Sequence, residues 1–74
     1  MIYTLYTGDN CHQCSHVITY MEKREVEFRL VNIDHSDERP PVKIFAFPAL
    51  FEGNELIGYG TDIKEYFQKK SQTK

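Results

Sequence analysis

Seventy-four residues with a 41% hydrophobic fraction, ten Phe and Tyr side chains and a net charge of −2 describe one small globular domain. At this size folding buries only about 60% of the surface that the unfolded chain exposes, so the core is thin and there is no room for a second domain within the chain. No basic patch precedes the short Lys69-Lys70 pair, which argues against nucleic acid as a partner, and no apolar run approaches the ~18 residues of a membrane span.

Residues 2–6, "IYTLY", are β-branched and aromatic and stop at the turn formers Gly8-Asp9-Asn10, which predicts a short central strand. Cys14, Val17, Ile18 and Met21 then recur on one helical face. They predict a helix from Cys11 or His12 to Lys23, with Asn10 as its N-cap. "VEFRLVNID" alternates apolar and polar positions and reads as a strand over residues 26–33. Strand, helix, strand is a βαβ unit, so the two strands should be parallel. Pro40 and Pro41 forbid a long helix in "HSDERPPVKIFAF", leaving at most a turn after Pro41. "ALFE" and "ELIGY" flank Gly53-Asn54 and predict an antiparallel hairpin. Thr61 or Asp62 caps a last helix whose inner face is Ile63, Tyr66 and Phe67, and residues 69–74 are expected as a frayed tail of the single domain 1–74. The order β-α-β, connector, β-β, α predicts a four-stranded mixed sheet.

The two cysteines, Cys11 and Cys14, stand together in "DNCHQCSH". Such a stretch is open to three readings: half of a metal site, a structural disulfide or a redox pair. A bridge closing a four-residue loop constrains little of the unfolded chain, so a structural role is poorly motivated. The N-terminus "MIYTLYTGDN" has no basic leader, and a cytoplasmic location is expected, where reducing conditions would open such a bridge. Structural zinc takes four protein ligands, and two sulfurs with the scattered His16 and His35 do not supply them, so no metal site is expected. Paired thiols beside a βαβ pattern are the signature of a redox site.

With "CHQC" after the first strand, "FP" directly before the third, and "IGYGTD" leading into the last helix, the chain resembles the glutaredoxins of the thioredoxin-like superfamily, including the glutaredoxin-like donors that reduce ribonucleotide reductase. The resemblance runs from about residue 2 to residue 68. It implies an α/β, thioredoxin-like fold of the glutaredoxin type: β-α-β, connector, β-β-α, with a four-stranded mixed sheet. It also implies a cis Phe47-Pro48 bond facing the cysteines. The chain departs from the family pattern first in a shortened second helix between the second and third strands, leaving a short connector with Pro40-Pro41 where helical residues would stand. Two further features depart from it. The lysine usual just ahead of the first cysteine is absent from Gly8-Asp9-Asn10, and "GYGTD" keeps only part of the paired-glycine, acidic motif before the last helix.

The implied activity is thiol-disulfide exchange, reducing protein or glutathione-mixed disulfides. Cys11, at the start of a helix, is placed where unsatisfied N–H groups and the positive dipole end favour an anion, which raises its thiolate fraction at neutral pH from roughly 3% by about an order of magnitude. Cys11 is the attacking thiol and Cys14, one turn deeper, the resolving thiol. His12 and Gln13 tune the pair, and Asp9 opposes the anion. Phe47, Pro48, Tyr59, Gly60, Thr61 and Asp62 are the candidate contacts for substrate or glutathione. Partners are a disulfide-containing protein substrate and, as electron source, glutathione or a flavoprotein thioredoxin reductase. No tightly bound cofactor is expected, and the chain should act as a monomer. An alternative of another class is a non-catalytic metal or iron–sulfur carrier using the same two sulfurs.

Overall fold

The structure, a computed structural model, describes residues 3–72, with side chains described through residue 69. Four strands form one mixed sheet in the order β2-β1-β3-β4: β1 (Tyr3–Thr7), β2 (Phe28–Asn32), β3 (Ala49–Glu52) and β4 (Glu55–Tyr59). The central β1 runs parallel to β2, with Tyr3 opposite Phe28 and Thr7 opposite Asn32, and antiparallel to β3. The hairpin turns at Gly53-Asn54 as its composition predicts, with Gly53 in the left-handed region at φ 61°. Leu50 pairs with Gly58 and Phe51 with Leu56, so Ile57 is the extra residue of a bulge that bends β4 where it meets β3.

Helix α1 spans His12–Lys23, but its N-cap is Cys11, not Asn10. Asn10 takes φ 56° instead, a left-handed turn that asparagine tolerates, and this swings Cys11 into the capping position. The helix ends in a Schellman motif: Val26 N–H donates to Met21 O and Glu25 N–H to Glu22 O, with Glu25 at φ 59°. That closure consumes residues 25 and 26, so β2 begins at Phe28 and is shorter than the stretch 26–33 read from alternation. Helix α2 spans Thr61–Gln72. Thr61 and Asp62 therefore lie in its first turn rather than capping it, and Asp62 complements the dipole there. Residues 69–72, expected to fray, continue the helix, since no Gly or Pro interrupts a run of good helix formers; residues 73 and 74 lie outside the described part.

Alternation along β1 sends Leu5 and Tyr6 to opposite faces, and each face has its own core. On one, Leu5 and Leu50 pack with Val17 and Met21 of α1 and Ile63 and Phe67 of α2. On the other, Tyr6, Val31, Ala49 and Phe51 are covered by Ile33, Ile44 and Phe47 of the connector, which contains no helix. The expected shortening of the second helix is thus complete, as Pro40-Pro41 requires. Among the described residues, no helix is long and apolar enough to cross a membrane.

Candidate active site

The end of β1 delivers the chain to the N-terminus of α1, and the two cysteines meet there. Cys11 and Cys14 are joined as a disulfide with Cα atoms 5.2 Å apart, inside the range such a bridge allows. Their environments differ. Cys14 is turned into the protein at 3% exposure, while Cys11, at the N-cap, is partly exposed. The Cys14 backbone N–H donates to Cys11 Sγ at 3.1 Å. No acidic residue occupies the first turn of α1, so that N–H and the helix dipole favour a negative sulfur without local opposition from the helix itself.

The other candidate residues divide into those around the pair and those with a structural task. The Phe47-Pro48 peptide is cis, Pro48 is buried, and its carbonyl accepts the Gly60 N–H at 3.0 Å, tying the start of β3 to the start of α2. Phe47 is half-buried and lies across Gly8: a Cβ on Gly8 would meet its ring at 3.4 Å. Tyr59 is half-buried too, and its hydroxyl accepts the Phe45 N–H at 3.3 Å, so it holds the connector. His12 is exposed. Gln13 leans over α2, with its Oε1 2.9 Å from where a Cβ on Gly60 would stand. Thr61 and Asp62 are exposed at the α2 N-terminus.

A groove of about 310 Å³ runs between the helices, lined by Gln13, His16, Val17, Gly60, Thr61 and Lys64. It begins beside the cysteine pair at Gln13, although neither sulfur lines it. Lys64 escaped the sequence reading, and His16 was weighed there only as a metal ligand, because each looks like an ordinary solvated helix position until the two helices are set side by side.

Behind the cysteine turn, Asp9 is held by the chain that follows β2. Its carboxyl lies below the usual carboxylate range, first through the hydrogen bond from Asn32 and then through His35. This cluster was legible in part: parallel pairing of β1 and β2 sets "GD" beside "DH" once Thr7 is opposite Asn32. Among the described residues, no group of three or more His, Cys, Asp or Glu side chains is placed to hold a metal ion.

A cysteine pair opening a helix, a mixed four-stranded sheet and a cis-proline edge define a dithiol redox protein of thioredoxin-like fold. The glutaredoxin family model matches residues 1–57, and the chain belongs to the glutaredoxin family. The crystal structure of the holo form of glutaredoxin C1 from Populus tremula × tremuloides is similar at TM-score 0.73 and 16% identity, covering 90% of this chain and 74% of that one. A buckwheat glutaredoxin–glutathione complex is similar at TM-score 0.71 and 15% identity, covering 92% of this chain and 69% of that one. No curated protein sequence matches the chain.

Proposed function

We propose that the chain is a thiol-disulfide oxidoreductase that reduces protein or glutathione-mixed disulfides through Cys11 and Cys14. The observation that carries this reading is the unequal exposure of the two bonded sulfurs, one partly exposed on a helix N-terminus and the other buried beside it. Starting from the dithiol, the Cys11 thiolate attacks one sulfur of a substrate R–S–S–R′. A Cys11–S–S–R bond forms as the S–S bond of the substrate breaks, and R′–S⁻ leaves and takes up a proton. Cys14, losing its proton, then attacks the Cys11 sulfur and expels R–S⁻. Two electrons have passed to the substrate, and the protein holds the intramolecular disulfide.

Glutathione suits the groove as reductant or co-substrate. Lys64 and His16 offer cationic or donor groups to a carboxylate, and the first-turn N–H groups of Thr61 and Asp62 have no carbonyl partner within the helix. A second electron source, a flavoprotein thioredoxin reductase, uses the same two sulfurs, and it is favoured where the Gln13 side chain over Gly60 narrows the approach of a small peptide to the groove. Either donor calls for a reducing compartment such as the cytoplasm.

Two measurements test the proposal. Cys14→Ser protein mixed with a disulfide substrate should accumulate a mixed disulfide on Cys11, found by mass spectrometry of the cleaved peptides, and Cys11→Ser protein should trap far less on the buried Cys14; no adduct on Cys11, or one formed as readily on Cys14, refutes the assignment. Rates of reduction of the oxidised wild type by glutathione and by a thioredoxin reductase separate the two donors.

A further inference from the structure

The turn that carries Cys11 is stitched to the far end of β2. Because β1 and β2 run parallel with Thr7 opposite Asn32, the residues following each strand emerge side by side. The Asp9 backbone N–H donates to Asp34 Oδ2 at 2.7 Å, and Asn32 Nδ2 donates to Asp9 Oδ1 at 3.1 Å. His35 Nε2 lies 3.0 Å from both oxygens of the Asp9 carboxylate. The receiving end is itself fixed: the Asp34 N–H donates to Asn32 Oδ1 at 2.9 Å and the His35 N–H to Asn32 O at 3.0 Å. The titratable groups bonded to Asp9 are therefore Asp34, through the backbone, and His35, through the carboxylate.

A carboxylate two residues ahead of a thiolate opposes the sulfur's ionisation according to its distance and its uncompensated charge. Two extended residues span at most about 7 Å, well inside the screening length of physiological salt. An untethered Asp9 would thus act against the helix dipole at the position where the anion must form.

We infer that His35 is a positioning residue for the Cys11 nucleophile: with Asn32 it holds the Asp9 carboxylate against the β2 end of the turn and, when protonated, offsets its charge, leaving the α1 N-terminus to act on the sulfur. The inference rests on the oxidoreductase reading above and extends it, since His35 touches neither sulfur.

The test uses reduced full-length protein in the Cys14→Ser background, where one sulfur reacts, and follows alkylation rate against pH for the parent, His35→Ala, Asp9→Asn and the double variant. His35→Ala should slow alkylation at pH 7 by about twofold to fivefold and move its profile to higher pH, as a freed charge at such distances dictates. Asp9→Asn should speed the reaction. Adding His35→Ala to Asp9→Asn should change nothing further, because no carboxylate remains to be held. A His35→Ala profile that coincides with the parent's overturns the inference, as does an equal slowing in the Asp9→Asn background. Activation of Cys11 itself is read separately, from the parent's midpoint against that of a free cysteine, so either conclusion can fail while the other stands.

Discussion

In Cys14→Ser protein the Cys11 sulfur stands alone, yet the substituted residue retains the backbone N–H that reaches Sγ at 3.1 Å in the native chain. A hydrogen bond to a charged acceptor contributes about 1.5 kcal/mol at the lower end of its range, which suits a partly exposed sulfur, and an exposed helix N-terminus adds about 0.5 kcal/mol. Together, about 2 kcal/mol of preference for the thiolate corresponds to roughly a 30-fold gain in the reactive form wherever a free cysteine is mostly protonated. Alkylation by iodoacetamide, followed by mass spectrometry across pH, should show Cys11 reaching its plateau more than one pH unit below a free-cysteine peptide. Gln13→Glu then places a carboxylate in a first turn that has none. It should move the profile back and slow the reaction at pH 7 by about twofold or more. A Cys14→Ser profile that overlays the free peptide, or one indifferent to Gln13→Glu, would refute the claim that the helix start activates this sulfur.

Three further outcomes concern the scaffold. Glu25→Gly relieves a side chain at φ 59° in the Schellman closure and should stabilise the fold by about 1 kcal/mol, raising Tm by roughly 4–8 °C, as urea and thermal unfolding would show. Gly60→Ala meets both a left-handed backbone at φ 51° and the Gln13 Oε1 at 2.9 Å, and should cost about 1–2 kcal/mol, read from the same urea curves. Adding Gln13→Ala should recover the steric share and leave the backbone share. Asp9, bonded first by Asn32 and then by His35, and Glu38, bonded by both Arg29 nitrogens at 2.7 and 2.9 Å, are held below the usual carboxylate range. A depressed folded-state pKa stabilises above the unfolded value and loses that stabilisation as pH falls through the folded one. Urea midpoints measured from neutral pH into acid should therefore decline less steeply for Asp9→Asn and Glu38→Gln than for wild type.

Much of the fold could be read from local chemistry. The hairpin was legible because Gly53-Asn54 permits few alternatives between two strand-forming runs, and α1 because its apolar residues keep one face. The ends of α1 were harder: Asn10 is as good a capping residue as Cys11, and only the left-handed turn at Asn10 decides between them. The start of β2 lies later than alternation suggests because the apolar pattern continues through Val26, while the helix closure claims that residue's N–H. In the site, the cysteine pair declared itself by spacing. For Phe47 and Tyr59, both candidate substrate contacts, local patterning did not show the partners far back in the chain: the ring of Phe47 lies over Gly8, and the Tyr59 hydroxyl accepts the Phe45 N–H. His35 lacked a role until parallel strand pairing set it beside Asp9.

Beyond Arg39 the connector roofs the second core without any helical ladder of its own. Beside the packing of Ile44 and Phe47 on that core, its fastenings toward β3 among the described residues include the Phe45 N–H on the Tyr59 hydroxyl, the ring of Phe47 over Gly8 and, where the strand begins, the Pro48 carbonyl on Gly60. A cover fastened in this way can lift while the sheet and both helices stay intact, at a free energy below that of global unfolding. Such an excursion would bare Tyr6 and Phe51 and release the edge that runs up to Pro48 in a single event. The stretch that would open and the stretch that ends in the cis Phe47-Pro48 peptide are thus one, and a substitution that loosens the first alters the second.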